Sequence, residues 1–99
     1  MDLATATDNL RTRVGADCGL NATLKFDCGA DGVVVIDGAS TPNSVDNTDR
    51  DTDCTIALTS DTLSDLMTGD VDATTAFMTG RIKVSGDMSV ALKLQRVLG

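Results

Sequence analysis

The feature that most constrains this fold is a strict alternation of apolar and polar residues between positions 20 and 28. The apolar set is Leu20, Ala22, Leu24, Phe26 and Cys28. Because successive side chains of a strand point to opposite faces, this pattern predicts a strand with one buried face. Residues 54–59 repeat the alternation and predict a second strand of this kind. The β-branched run 33–36 predicts a central strand, and Asp31-Gly32 before it is a hairpin signal. The chain must therefore build a sheet with one face against a core.

The segments around these strands predict helices that cover the sheet. Leu3, Leu10 and Val14 recur at helical spacing, which predicts a helix over residues 2–16. The other predicted elements are an edge strand within 39–45, a helix capped by Ser60, a helix over 73–79 capped by Asp72, a strand over 81–85 with Ile82 and Val84 inward, and a helix over 88–98 capped by Asp87. This order, in a chain of 99 residues, predicts one α+β domain spanning 1–99.

The charge of the chain narrows the classes of partner. The formal net charge is −7, and all 15 acidic residues are Asp. Nucleic acid is not an expected partner, because phosphate contact requires a basic face. No apolar run approaches the ~20 residues of a membrane span, so stable membrane insertion is not expected either. The four basic residues of the last segment are Arg81, Lys83, Lys93 and Arg96.

The sequence contains few residues that could act in catalysis or bind a metal. The sequence has no His, which excludes Ser-His-Asp and Cys-His arrangements, and it predicts neither an enzyme nor a cofactor. The cysteines Cys18, Cys28 and Cys54 are odd in number and lack metal-ligand spacing, so reduced thiols in the cytoplasm are expected. The acidic loop 46–53 resembles the opening of a calcium loop but lacks its Gly and closing Glu, and no metal site is predicted.

The last predicted helix is apolar over about 220° of its circumference, whereas a helix lying on a sheet needs a stripe of only ~100°. The apolar side chains are Met88, Val90, Ala91, Leu92, Leu94, Val97 and Leu98. The apolar surface of this helix beyond the stripe of ~100° must therefore cover another helix, a partner or a cavity. Ordinary core packing and a ligand cavity remain equally open at this point.

The second half of the chain resembles a known family. The matching segments, within residues 53–95, are Cys54-Thr55-Ile56, Leu66-Met67-Thr68-Gly69, Ala76-Phe77, Gly80-Arg81-Ile82-Lys83-Val84, Gly86, Met88 and Ala91-Leu92-Lys93-Leu94-Gln95. This pattern is similar to the sterol carrier protein domain, also called the nonspecific lipid-transfer protein domain. The resemblance implies a five-stranded, mostly antiparallel sheet covered on one face by helices, with an apolar tunnel. It implies non-catalytic binding and carriage of a fatty acid, fatty acyl-CoA, sterol or isoprenoid.

The resemblance also implies which side chains meet the ligand. Carried onto this sequence, the tunnel positions are Leu66, Phe77, Met78, Ile82, Met88, Ala91 and Leu92. Leu63 and Met67 are expected to contact the sheet instead. Our hypothesis for an anionic head group is contact with Arg81, Lys93 or Arg96. Three alternatives stay open: an accessory module that presents a lipid to a partner enzyme, for example in ubiquinone synthesis, a homodimer joined through the wide helix face, and an enzyme of unknown class.

Overall fold

The computed structural model of the protein describes residues 2–17 and 19–93. In chain order the elements are α1 (Leu3–Val14), β1 (Thr23–Asp27), β2 (Val33–Asp37), β3 (Ser44–Asp46), β4 (Cys54–Ala57), α2 (Ser60–Thr68), α3 (Ala73–Met78), β5 (Lys83–Gly86) and α4 (Met88–Leu92). This is the predicted order of helices and strands. The predicted continuation of the last helix through residues 94–98 lies outside the described residues, as does Cys18.

The strands form one mixed sheet in the order β3-β2-β1-β4-β5. β1 pairs in parallel with β4, whereas the other three pairings are antiparallel. The antiparallel β1–β2 pair is closed by a short 3-10 turn at Gly29–Asp31, where the Asp31-Gly32 signal predicted a hairpin. The prediction of a mostly antiparallel five-stranded sheet in an α+β fold is therefore confirmed.

One face of the sheet carries the core, as the alternation predicts. The register places Val34, Phe26, Ile56 and Val84 side by side across four strands. The helices contribute their buried side chains to the same core, among them Leu10 of α1, Leu63 and Met67 of α2, Ala76 of α3 and Val90 of α4. Leu63 and Met67 are thus buried, consistent with sheet contacts. The predicted burial of the thiols Cys28 and Cys54 also holds, at 6% and 0% exposure.

Several element boundaries differ from the prediction, and hydrogen bonds explain two of the differences. The cap of α2 is Thr59 rather than Ser60: Thr59 is extended, and its side chain accepts a hydrogen bond from Thr62 N at 3.1 Å. Ser60 is already helical and donates its hydroxyl to Asp31 at 2.9 Å. The edge strand is confined to Ser44–Asp46, because the Asp37 carboxylate accepts from the backbone N–H groups of residues 39 and 40 and turns the chain.

The acidic loop lies over the second face of the sheet. Lys25 projects from that face and donates to Asp49 Oδ1 at 2.8 Å and to the Arg50 carbonyl at 3.1 Å. Asp53 closes the loop by accepting from both Thr23 N and Thr23 Oγ1, at 3.0 and 3.2 Å. These contacts give two carboxylates of the acidic loop, Asp49 and Asp53, a structural role against β1.

Candidate functional site

An apolar groove lies between α3 and α4, over the β4–β5 edge of the sheet. Ile56 and Val84, which are paired across the two strands, form its floor together with Ile82. Ala73, Thr74 and Phe77 line it from α3, and Met88, Ala91 and Leu92 line it from α4. Its volume within the described residues is about 260 Å³. The arrangement can hold an apolar group against a floor of branched aliphatic side chains.

The walls of this groove expose large apolar side chains. Phe77 is 50% exposed, Met88 49% and Leu92 80%, whereas Val90 on the same helix α4 is 2% exposed and points into the core. The described part of α4 therefore divides its wide apolar surface between the core and the groove. Clustered exposed apolar side chains of this kind are typical of interaction sites in soluble domains.

Five of the seven predicted tunnel residues line the groove. They are Phe77, Ile82, Met88, Ala91 and Leu92. Leu66 is 3% exposed and belongs to the core cluster instead, on the same buried side of α2 as Leu63 and Met67. Met78 is 79% exposed and lies outside the groove lining, since it follows Phe77 by one helical step of about 100°.

Sequence reasoning missed four lining residues, Ile56, Ala73, Thr74 and Val84. The alternation did mark Ile56 and Val84 as inward-facing, but it does not tell which inward residues the helices leave uncovered. No local pattern marks Ala73 and Thr74 as groove residues, because they line the groove only through the position at which α3 begins after its N-cap Asp72.

None of the described basic residues lines the groove. Arg81 forms an ion pair with Asp65 of α2 at 2.6 Å. The Lys93 ammonium donates to the Leu20 carbonyl at 3.3 Å. Lys83 is paired with Ala57 and alternates with the groove residues along β5, which places it on the opposite face of the sheet. Arg96, the third predicted head-group residue, lies outside the described residues.

Carboxylates cap both helices that form the walls. Asp72 accepts from Thr75 N at 2.6 Å, and this backbone hydrogen bond at the start of α3 lowers the pKa of the Asp72 carboxyl. Asp87 accepts from the Ser89 hydroxyl at 2.6 Å and from Ser89 N, which likewise lowers the pKa of Asp87 at the start of α4. Both groups are therefore anionic at neutral pH.

Gly86 fixes the position of α4 relative to the floor. It has a φ of +91°, and a Cβ atom there would lie 2.4 Å from the carbonyl oxygen of Asp53. Immediately after it, Asp87 N donates to that same oxygen at 2.8 Å. The close approach of β5 to the start of β4 thus requires a residue without a side chain, and α4 begins from this point.

A second cavity, of about 350 Å³, lies at the β1–β2 turn and is lined in part by Asp27, Cys28 and Asp31. The two carboxylates are already engaged there: Asp27 accepts from Gly29 N, and Asp31 accepts from the Ser60 hydroxyl. Burial raises the pKa of the Cys28 thiol to about 11, which keeps it protonated and weakly nucleophilic. Although larger, this hollow lacks the apolar walls of the groove between α3 and α4.

Comparisons with known proteins agree on one family. Residues 11–99 match the profile of the SCP-2 sterol transfer family. Sterol carrier protein 2 of Gallus gallus is 45% identical over 51 residues, which are 52% of this chain and 9% of that protein. This chain therefore corresponds to a small part of the curated relative's length.

Solved structures share the fold. Palmitated SCP2L2 from Aedes aegypti, solved in solution, is similar with a TM-score of 0.76 and 22% identity, over 99% of this chain and 95% of that one. The UbiJ-SCP2 ubiquinone synthesis protein is similar with a TM-score of 0.61 and 18% identity, over 90% of this chain and 74% of that one. Among the described residues, no helix is long and apolar enough to cross a membrane.

Proposed function

The chain belongs to the SCP-2 sterol transfer family, and we propose that it binds and carries an apolar lipid in the groove between α3 and α4. The candidate ligand classes are a fatty acid, a fatty acyl-CoA, a sterol and an isoprenoid. The observation that carries the proposal is the exposure of Phe77, Met88 and Leu92 around a floor of aliphatic side chains. The palmitated relative of the same fold is consistent with an acyl chain as ligand.

The hydrophobic effect supplies the affinity for such a ligand. Each methylene moved from water into the groove gains about 0.8 kcal/mol, which corresponds to about a fourfold change in affinity. The groove volume of about 260 Å³ lies below the range of about 300–1,000 Å³ typical of small-molecule pockets. The described walls therefore accommodate a segment of apolar chain rather than a whole sterol or acyl-CoA.

We propose binding without covalent chemistry and without a cofactor. The sequence contains no His, and Thr74 is the one hydroxyl-bearing side chain among the described residues that line the groove. A cytoplasmic location is part of the same proposal and is supported by the buried free thiols Cys28 and Cys54.

A matched pair of surface variants tests the site. Leu92 and Met78 are almost equally exposed, at 80% and 79%, but only Leu92 lines the groove. Leu92→Lys places a charge in the groove, whereas Met78→Lys places one beside it. Binding of Nile red, a neutral apolar fluorophore, and its displacement by palmitate are measured for both variants and the unmodified protein.

The proposal predicts that Leu92→Lys weakens Nile red binding about fourfold or more, because the wall loses apolar contact with the ligand, and that Met78→Lys leaves it unchanged. Native mass spectrometry of gently purified protein is expected to show a co-purifying lipid. Equal loss of binding in both variants, or no binding of either probe to the unmodified protein, contradicts the proposed site.

A second candidate function is presentation of a lipid to a partner enzyme. It is favoured by the likeness in fold to the UbiJ-SCP2 ubiquinone synthesis protein and by Met78, a large apolar side chain exposed beside the groove. Stoichiometric capture of an enzyme by the tagged protein, lost in Met78→Lys, supports this function. Capture that is unaffected by Met78→Lys contradicts a role for this surface.

A further inference from the structure

Thr23 and Asp53 are joined by three hydrogen bonds where β1 and β4 begin. Asp53 N donates to Thr23 Oγ1 at 2.9 Å, and Thr23 N donates to Asp53 Oδ2 at 3.0 Å. The Thr23 hydroxyl in turn donates to the same carboxylate oxygen at 3.2 Å. The hydroxyl therefore acts once as an acceptor and once as a donor, and both bonds fix the same residue.

The backbone of Asp53 also contacts the start of α4. Its carbonyl oxygen accepts from Asp87 N at 2.8 Å, and Asp87 is the N-cap of α4. The same oxygen lies where a Cβ atom on Gly86 would approach it to 2.4 Å. Met88, which follows the cap, already lines the groove. The position of the Asp53 carbonyl group therefore determines where the α4 wall of the groove begins.

The middle of α4 is attached to the sheet independently of Asp53. Val90 is 2% exposed and belongs to the core cluster, and Ala91 packs against that cluster. The helix can therefore remain on the sheet when its first residue is no longer held in place. Met88 and Leu92 are exposed, so their place in the wall depends on how α4 begins.

We propose that Thr23 is a positioning residue for ligand binding. Through its hydrogen bonds with Asp53 it fixes the carbonyl group that holds the start of α4, and thereby the α4 wall. Thr23 itself is not among the described residues that line the groove. This inference rests on the proposed function, since it takes the groove as the lipid site. Because the acidic loop 46–53 ends at Asp53, the inference also connects that loop to the groove on the opposite face of the sheet.

Three single variants test the role of the hydroxyl. Thr23→Val keeps the shape of the side chain but removes two of the three hydrogen bonds. Thr23→Ser keeps the hydroxyl and tests for rescue. Thr55→Val is the matched control, because Thr55 lies on the same face of the sheet and its hydroxyl is 3.5 Å from that of Thr52.

Thr23→Val is expected to raise the Kd of Nile red about three- to tenfold, which corresponds to the net contribution of about one neutral hydrogen bond. Thr23→Ser and Thr55→Val are expected to leave this Kd nearly unchanged. Thermal scans by circular dichroism show whether each variant is folded at the temperature of the titration. If Thr23→Val does not fold, Asp53→Ala replaces it, because it removes the two bonds that Thr23 donates, and the same rise in Kd is expected.

Two double-mutant cycles separate positioning of α4 from a general loss of stability. Leu92→Ala shortens a side chain of the α4 wall, and Phe77→Ala shortens one of the α3 wall. Combined with Leu92→Ala, Thr23→Val is expected to give a Kd that differs at least about twofold from the product of the single effects, because both act on α4. Combined with Phe77→Ala, it is expected to give that product within about twofold.

The outcomes distinguish this inference from the proposed function. An unchanged Kd in Thr23→Val, equal weakening in Thr55→Val, no rescue in Thr23→Ser, or multiplicative effects in both cycles overturns the inference, while the groove remains a lipid site. If Nile red does not bind the unmodified protein, or if Leu92→Ala and Phe77→Ala both leave its Kd unchanged, the inference and the proposed function are overturned together.

Discussion

Replacement of Gly86 by Ala tests how the groove is held together. The φ of +91° at this position is costly for any residue with a Cβ atom, by about 1–2 kcal/mol. The added Cβ would also lie 2.4 Å from the Asp53 carbonyl oxygen and 3.2 Å from Cys54 Cα, so the backbone of β5 must move. Overpacking of this kind costs typically about 1–3 kcal/mol more. We therefore expect Gly86→Ala to lower the free energy of unfolding by about 2–5 kcal/mol.

Gly69→Ala is the matched control. Gly69 ends α2 with a φ of +84°, but a Cβ atom there would meet nothing within 4 Å. Only the conformational cost of about 1–2 kcal/mol is expected, and the two variants should differ by the steric part, about 1–3 kcal/mol. For a domain of this size that difference lowers the Tm of Gly86→Ala by at least about 4 °C relative to Gly69→Ala.

Circular dichroism at 222 nm is the appropriate assay for both variants, because the chain contains neither Trp nor Tyr to report unfolding by fluorescence. Urea titrations give the free energies, and thermal scans give the Tm values. Since α4 starts from Gly86 and Asp87, Gly86→Ala is also expected to weaken Nile red binding. Identical Tm values for the two variants would show that the close approach of Gly86 to Asp53 does not exclude a Cβ atom.

Other predictions follow from burial and charge. Leu10 is 0% exposed, so Leu10→Ala is expected to lower the free energy of unfolding in urea by about 2–5 kcal/mol. Leu92 is 80% exposed, so Leu92→Ala should leave the free energy of unfolding nearly unchanged but weaken Nile red binding. Equal destabilisation by the two substitutions would contradict this difference. Alkylation of Cys28 at pH 8, measured by peptide mass spectrometry, should be about 100-fold slower in the folded protein than in urea, because burial raises the pKa of its thiol from 9.0 to about 11. The hydrogen bond from Arg50 lowers the pKa of Asp46 below 3.8, so the ionised carboxylate stabilises the fold above that pH, and this contribution is lost as the pH falls through the folded pKa. Asp46→Asn should therefore reduce the dependence of the unfolding free energy on pH in the acid range. An unaltered pH dependence would contradict a stabilising role of the Asp46–Arg50 pair.

The strands and turns of this fold are predictable because local patterns determine them. Alternation over residues 20–28 and 54–59 identifies the buried face, and Gly69, Gly80 and Gly86 mark the ends of elements through positive φ values. The parallel pairing of β1 with β4 has no local signal, because it depends on contacts between distant segments. Local patterns predict the five strands, whereas their mostly antiparallel pairing was taken from the resemblance to a family.

The groove is only partly predictable. Phe77 and Met78 are adjacent apolar residues of α3, and nothing local tells which one turns towards α4. Leu66 was assigned to the ligand from the resemblance, whereas the structure buries it in the core outside the groove lining. Thr74 was not singled out, because a threonine in a helix acquires meaning only from the apolar lining around it.

Isoleucine methyl NMR reports directly on where the lipid binds, because the chain has three isoleucines and two of them line the groove. Ile56 and Ile82 lie in the floor of the groove, whereas Ile36 of β2 is paired between Leu24 and Val45, remote from it. With δ1-methyl labelling and titration of perdeuterated 1-decanol, we expect saturable shifts of the Ile56 and Ile82 signals and a constant Ile36 signal. Shifts of Ile36 as large as those of the other two, or no shift of Ile56 and Ile82 at saturating decanol, would contradict the groove between α3 and α4 as the lipid site.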